Sequence, residues 1–327
     1  MRIAVDAFGG DNAPKEIIKG AVESLADPKL TVILVGKEDI INEELKQYSY
    51  DTSRLEIVHA TEVITNDDSP TIAFKRKKDS SIVVGLKLLK ESQADAFVSA
   101  GSTGALLTAA TMIVGRISGI ERPALATLLP NKNAYTFLVD CGANVDSKPT
   151  YLLQFAKMGS IYMKNVMNVK NPRVALINVG TEKEKGNALT KEVYTLLEAE
   201  SRINFIGNME ARDIPLAEAD VAVCDAFVGN VILKHSEGLS KALFDIIKAE
   251  LMSSTLTKIG AALAKPAFKN IKKRFDYSEV GGAPFLGLNA LVVKAHGSSN
   301  AKAIHSAIKQ CAIFIEKDIT QKIKENI

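Results

Sequence analysis

The chain has little of what usually announces a function. Its three cysteines, Cys141, Cys224 and Cys311, are odd in number and scattered, which excludes a disulfide framework and suits reduced thiols in a cytoplasm. They fall in no metal-ligand spacing, so no metal site is expected. A formal net charge of +3 over 327 residues is too small to signal nucleic-acid binding. Neither G-x-G-x-x-G nor G-x-x-x-x-G-K-[ST] occurs, and no Ser-His-Asp arrangement can be placed. No signal-peptide core precedes the first strand-like run, "MRIAVDAFGG", and the most apolar helical stretch, Ala105 to Val114, is too short to span a bilayer. A soluble, cytoplasmic protein follows. With no internal repeat or low-complexity linker, residues 1–327 read as a single catalytic α/β unit.

What is present is a strong alternation. Apolar runs of strand length ("RIAVDAF", "TVILVG", "LEIVHA", "ADAFVSA", "YTFLVD", "RVALINVG", "INFIGN", "VAVCDAF" and "LVVKAHG") are separated mostly by amphipathic helical patterns. Such an order implies βαβ crossovers and a three-layer, doubly wound, mostly parallel sheet of Rossmann-like type, with functional groups at the carboxyl ends of the strands. Nearly every run ends in glycine beside Asp, Asn, Ser or His. Asp6, Gly9 and Gly10, then Asn144, Asn178, Gly180 and Asp225, are therefore candidates for a polar rim at one sheet edge, although ordinary βα turns also favour these residues. Asp6, Asp11, Asp140 and Asp225 read as turn and cap residues, since bare carboxylates would repel an anion.

The sharpest of these turns is "SAGSTGA". A glycine-rich junction at a helix start presents unpaired backbone N–H groups and the positive end of the helix dipole. Ser99, Ser102 and Thr103 add hydroxyls, and Gly101 and Gly104 let a tetrahedral anion come close. The turn is either an anion cradle or an ordinary capped turn.

Residues 252–277 break the rhythm. Leu256, Ile259, Leu263 and Phe268 stand against Lys258, Lys265, Lys269, Lys272 and Lys273, with Pro266 between. Two helical pieces kinked at the proline are expected, forming an amphipathic arm that touches a membrane surface or packs on a subunit partner. A second basic run, Lys75 to Lys78, is either a solvated face or a docking patch for an acidic partner.

Taken together, "DAFGGDNAP", "SPTIAFKRKKDSS", "SAGSTGA", "DCGANVDSKP", "NVGTEKEKGN", "VCDAFVGNVILKHSEG", "YSEVGGAPFLGLN" and "KAHGSSN" resemble the PlsX family of bacterial phosphate acyltransferases along essentially the whole chain. Ser102 in place of the usual Asn, Lys75 where Arg is common, and Ala226 in an Asp-Gly-Phe pattern depart from it. The resemblance implies an isopropylmalate dehydrogenase/phosphotransacetylase-like fold and a homodimer without metal or cofactor. It also implies transfer of a fatty acyl chain from acyl-acyl carrier protein to inorganic phosphate, giving acyl-phosphate for phospholipid synthesis. The consumer would be a membrane glycerol-3-phosphate acyltransferase.

On that reading the turn from Ser99 to Gly104 cradles phosphate, Lys185 neutralises charge, Asn230 donates to the thioester oxyanion, and His296 binds phosphate or protonates the thiol. Lys77 joins the rim. Phosphate is already anionic at neutral pH and a thiolate leaves readily, so no strong base is needed. Without the resemblance, Lys185 reads equally as a solvated loop lysine and Asn230 as a helix cap. Cys141 reads as a small buried thiol. A nicotinamide-dependent dehydrogenase would share the sheet, but no dinucleotide site can be placed for it.

Overall fold

The computed structural model describes residues 1–275 and 281–327. Its strands and helices alternate in the order β1 (Arg2–Asp6), α1 (Lys15–Ser24), β2 (Thr31–Gly36), α2 (Glu38–Leu45), β3 (Leu55–His59), α3 (Pro70–Arg76), α4 (Ser81–Lys90), β4 (Ala96–Ser99) and α5 (Thr103–Ile113). There follow β5 (Ala124–Pro130), β6 (Tyr135–Val139), α6 (Pro149–Asn165), β7 (Arg173–Ile177), α7 (Ala188–Ala199), β8 (Asn204–Met209) and β9 (Val221–Val223). The chain then runs through α8 (Ala226–Leu251), α9 (Thr255–Phe275), β10 (Ala283–Leu286), β11 (Leu291–Lys294), α10 (Ala301–Glu316) and α11 (Ile319–Asn326).

The strands form one 11-stranded sheet in the order β3-β2-β1-β4-β11-β10-β5-β6-β9-β7-β8. Alternate residues serve opposite faces, as the period of a strand demands. Ile3, Val5, Val32 and Leu34 pack with Ile17 and Ile18 of α1 and Ile304 and Ile308 of α10. Their neighbours Ala4, Ile33 and Val35 pack instead with Ile82 and Leu86 of α4 and Leu106 and Ala109 of α5. Both faces are covered, which is the expected three-layer arrangement. Polar side chains start the helices: Ser80, Asn187, Asp225 and Asn300 accept backbone N–H bonds at the beginnings of α4, α7, α8 and α10.

The sheet departs from the sequence reading in one respect that matters for the site. Strands β3, β2, β1, β4 and β11 are mutually parallel, and so are β6, β9, β7 and β8. Between these blocks β10 is antiparallel to both β11 and β5, and β5 is antiparallel to β6. Three reversals make the two blocks run in opposite senses. The polar strand ends therefore do not share one edge: Asp6, Ser99 and His296 follow strands of one block, and Asn144, Asn178 and Asp225 follow strands of the other.

The arm also differs from expectation. Helix α9 continues through Pro266 as one helix, and the break falls earlier, at 252–254. The carbonyl that Pro266 leaves without a partner belongs to exposed Ala262, where water can satisfy it. Leu256 and Leu263 are each 80% exposed and Ile259 is exposed with them, whereas Phe268 is half-buried. Tyr277 and the side chains of Lys272 and Lys273 lie outside the described residues.

The core of the second block is anchored by Phe137 stacked on Tyr162 at 4.0 Å, with Phe314 edge-on to Tyr162 at 5.7 Å. All three rings are fully buried. Phe137→Ala is expected to cost about 3–5 kcal/mol of stability by urea unfolding. A loss below about 1 kcal/mol would show that this aromatic layer is not a rigid part of the core.

Candidate active site

At the seam between the two blocks lies a cavity of about 990 Å³, at the upper end of the ~300–1,000 Å³ that ligand sites occupy. Both blocks contribute to its wall. Thr103 comes from the start of α5, Cys141, Gly142 and Val145 from the loop after β6, and Asn230 and Lys234 from α8. Lys294, His296 and Gly297 come from the end of β11. The apolar remainder includes Leu128 and Leu129 of β5, Leu239 and Leu243 of α8, and Phe275.

The turn predicted to cradle an anion is held from behind. The Ser99 hydroxyl donates to Asp6 Oδ2 at 2.7 Å and accepts the Gly101 N–H at 3.0 Å, so its proton is spent on Asp6 and is not offered to a ligand. Asp6 also accepts the Phe8 N–H, and burial raises its pKa above the usual carboxylate value. Gly9 packs against this latch: a Cβ there would clash with the Asp6 carboxylate and lie 2.7 Å from the Gly101 nitrogen. Gly10, at φ +99°, brings its backbone close to Gly297, whose carbonyl accepts the Asp11 N–H at 2.8 Å. Gly104 is small because Pro70 sits 3.0 Å from where its Cβ would be. Ser102 precedes α5 without a side-chain cap bond. Of the predicted cradle, Thr103 lines the cavity.

Asp140 organises the opposite wall. Its carboxylate accepts N–H bonds from Leu125, Gly142, Ala143 and Asn144, and from the Asn144 side chain at 2.7 Å. Asp225 caps α8 by accepting the Val228 N–H at 3.0 Å. Asn230 therefore lies within α8 and does not cap it. Helix α8 can approach only because residue 229 is glycine: a Cβ there would be driven into the Asp140 carbonyl. Cys141 is buried, and burial pushes its thiol well above the ordinary value, which removes it as a nucleophile at neutral pH.

His296 sits among charged groups. Lys234 Nζ lies 3.0 Å from its Nε2 and 2.8 Å from Glu237 Oε2. A lysine ammonium only donates, so Nε2 faces it as an acceptor, while Nδ1 lies 2.8 Å from Ser298 Oγ and accepts the Ser298 backbone N–H at 3.2 Å. Desolvation and then Lys234 lower the His296 pKa, keeping the ring neutral. Lys294 is no sequence candidate, because it ends an apolar strand and looks like a strand terminus; its place at the head of "KAHGSSN" is the signal that marks it. It is 8% exposed, its ammonium reaching the Ala100 carbonyl at 3.2 Å and the Ala295 carbonyl.

Other candidates stand outside the cavity wall. Lys185 is exposed on the loop after β7, its carbonyl held by the Asn178 side chain at 3.1 Å. Strand β7 is separated from β6 by β9, which sets this loop, with Gly180, to the side. Lys77 donates to Asp68 at 2.6 Å and to the Val63 carbonyl at 2.8 Å, closing its own loop, and the ammonium holds the Asp68 carboxyl at about 2.

Gly229→Ala should push α8 off the loop after β6 and displace Asn230. The expected result is a fall in thermal stability together with loss of whatever ligand the cavity binds, and an unperturbed melting curve would contradict the contact.

Comparison with known proteins agrees with this architecture. The family model described as "Fatty acid synthesis protein" matches residues 1–322. A phosphate acyltransferase from Clostridium tetani is 53% identical over 328 aligned positions, covering 100% of this chain and 98% of that protein. One from Clostridium perfringens is 51% identical, covering 100% and 97%. Among solved structures, a phosphotransacetylase from Streptococcus pyogenes superposes with a TM-score of 0.63 at 18% identity, over 99% of this chain and 94% of that one, which speaks for the fold alone. With half of its residues shared along its full length, the chain belongs to the phosphate acyltransferase family of fatty acid synthesis proteins.

Proposed function

We propose that the chain transfers a fatty acyl group from acyl-acyl carrier protein to inorganic phosphate in this cavity, giving acyl-phosphate and the free carrier thiol. The observation that carries the reading is the mixed character of one wall. Thr103, Asn230, Lys234, Lys294 and His296 supply hydrogen-bond donors and positive charge, and Leu128, Leu129, Leu239, Leu243 and Phe275 supply an apolar surface suited to an acyl chain.

The chemistry needs no more than these groups offer. A phosphate oxygen attacks the thioester carbon and the carbonyl oxygen takes up negative charge. As the tetrahedral intermediate collapses, the C–S bond breaks and the thiolate leaves to take a proton. Phosphate is held by the start of α5 at Thr103 and by nearby cations. Asn230 donates to the developing oxyanion. His296, neutral and fixed between Lys234 and Ser298, sits where a proton can be relayed to the departing sulfur. Lys185, on its exposed loop, acts from the rim. The Lys75 to Lys78 run offers charge to an acidic carrier.

The assay is phosphate-dependent release of free carrier protein from acyl-acyl carrier protein with no metal added. Asn230→Ala and Lys185→Ala are each expected to lower turnover about ten- to a thousandfold. Absence of acyl-phosphate from the unmodified chain would refute the reaction, and wild-type rates in both variants would return these residues to structural duty.

The exposed apolar rows of α8 and α9 support a second part of the reading. Ile246 on α8, which is outside the cavity wall, is covered in a homodimer, and Leu256, Ile259 and Leu263 at the outer end dip into the headgroup boundary of a membrane. Among the described residues no helix is long and apolar enough to cross a bilayer, so contact is peripheral. Release there delivers a lipid-soluble, labile product to its membrane-bound consumer. Leu256→Glu with Leu263→Glu should leave a dimer active in solution that no longer co-sediments with anionic vesicles. Unchanged co-sedimentation, or loss of the dimer, would make α9 a packing element instead.

A further inference from the structure

Lys294 is an unusual residue to find where it is. It closes β11, paired in register with Ser99 at the end of β4, and its side chain curls under the turn that leads into α5. It is more than nine-tenths buried and lines the cavity. Its ammonium donates to two backbone carbonyls, Ala100 and Ala295, and forms no ion pair among the described residues. One of its three protons is thus left for another acceptor. The nearest acid in the core, Asp6, has its oxygens engaged by Ser99 and the Phe8 N–H.

The electrostatics around it are unbalanced in one direction. Lys234 on α8 adds a second positive charge within electrostatic reach and disfavours the charged form of Lys294, while Asp6 and Asp11 favour it only in part. Burying a cation without a counterion is costly, and the exposed Lys234, although paired with Glu237 at 2.8 Å, adds to that cost for Lys294. An anionic phosphate placed beside Lys294 would supply the counterion it lacks, with Lys234 at its flank. Lys294 opens the motif "KAHGSSN", but what it does there depends on the strand register that sets it behind the Ala100–Gly101 turn.

We propose that Lys294, assisted by Lys234, is the charge-neutralising element of the subsite for the acceptor's tetrahedral phosphate, holding the anion against the start of α5 at Thr103. This inference rests on the reading that phosphate is the acyl acceptor and deepens it. It names a residue that touches the substrate directly, beside Lys185 acting from the rim.

The test separates acceptor from donor. Lys294→Met keeps the length of the side chain and removes its charge. Its KM for phosphate should rise about ten- to a hundredfold, as expected for loss of a hydrogen bond between charged groups, with the KM for acyl carrier protein unchanged. Its melting temperature should stay level or rise, because removing an unpaired buried charge relieves a penalty. An unchanged phosphate KM with a lowered melting temperature would make Lys294 a structural partner of Asp6 and overturn the proposal.

A second measurement needs no variant. Calorimetric binding of inorganic phosphate to the unmodified chain should weaken as pH rises through about 8, where burial has lowered the Lys294 pKa and the ammonium is lost. The groups facing it are Lys234, His296, Asp6 and Asp11, and the neutral His296 ring does not gain or lose charge over that alkaline span. In Lys294→Arg, charged throughout, the alkaline weakening should disappear. Phosphate affinity that is flat from pH 7 to about 9.5 in the unmodified chain would also overturn the proposal. If the unmodified chain forms no acyl-phosphate at all, the acyl-transfer reading fails. If it does, and Lys294→Met keeps its phosphate KM, only the present inference fails.

Discussion

The site depends on a reversal of direction in the middle of the sheet. Because β10 runs against β11 and β5 runs against both β10 and β6, the two parallel blocks face opposite ways. The cavity wall takes Thr103 and His296 from loops after strands of one block and Cys141, Gly142 and Asn230 from segments after strands of the other. The cavity exists at that seam. An unbroken parallel sheet carrying the same side chains would place them along an edge, in the switch-point crevice of an ordinary doubly wound fold.

Around the seam, small residues set distances that polar residues then fix. Gly9 and Gly10 let the first loop rest on the Ala100–Gly101 turn, and Gly229 lets α8 rest on the Asp140 carbonyl. Asp6 and Asp140 accept the hydrogen bonds that keep these backbones in place, and Asp225 starts the helix that carries Asn230. Asp6, Asp140 and Asp225 are thus consumed by the scaffold. What remains facing the cavity is donor-rich, with Lys294 its one buried cation among the described residues and Glu237 paired with Lys234.

The long helices α8 and α9 tie this chemistry to the outside. Helix α8 begins at the cavity with Asn230 and Lys234 and continues outward through Leu239 and Leu243, which still line the same space. Helix α9 returns with Phe275 against Phe244 at 6.2 Å and Arg274 donating to the Lys132 carbonyl at 2.9 Å. The apolar lining thus extends outward along α8 as far as Leu243 and is closed by Phe275 of α9.

Much of this was readable from residues alone. The strand runs, the βα alternation, the turn at Ser99 to Gly104, the amphipathic arm and the family motifs all depend on local pattern, and period and composition survive in one dimension. The two strands that escaped notice, β5 and β10, are the ones that reverse the sheet. "ALATLLP" is an Ala/Leu run ending in proline and β10 is four residues long, so neither has the β-branched signature of a strand. Their pairing is a tertiary fact, and with it went the arrangement of the rim: Lys185 set to the side, the Ser99 proton given to Asp6, and Asn230 seated inside a helix. Lys294 shows the limit most directly. In the sequence it is the polar end of an apolar strand; only the register of β11 against β4 and the closure of the cavity over it turn it into a buried cation lacking a counterion, because burial and the position of neighbouring charges are properties of the folded chain.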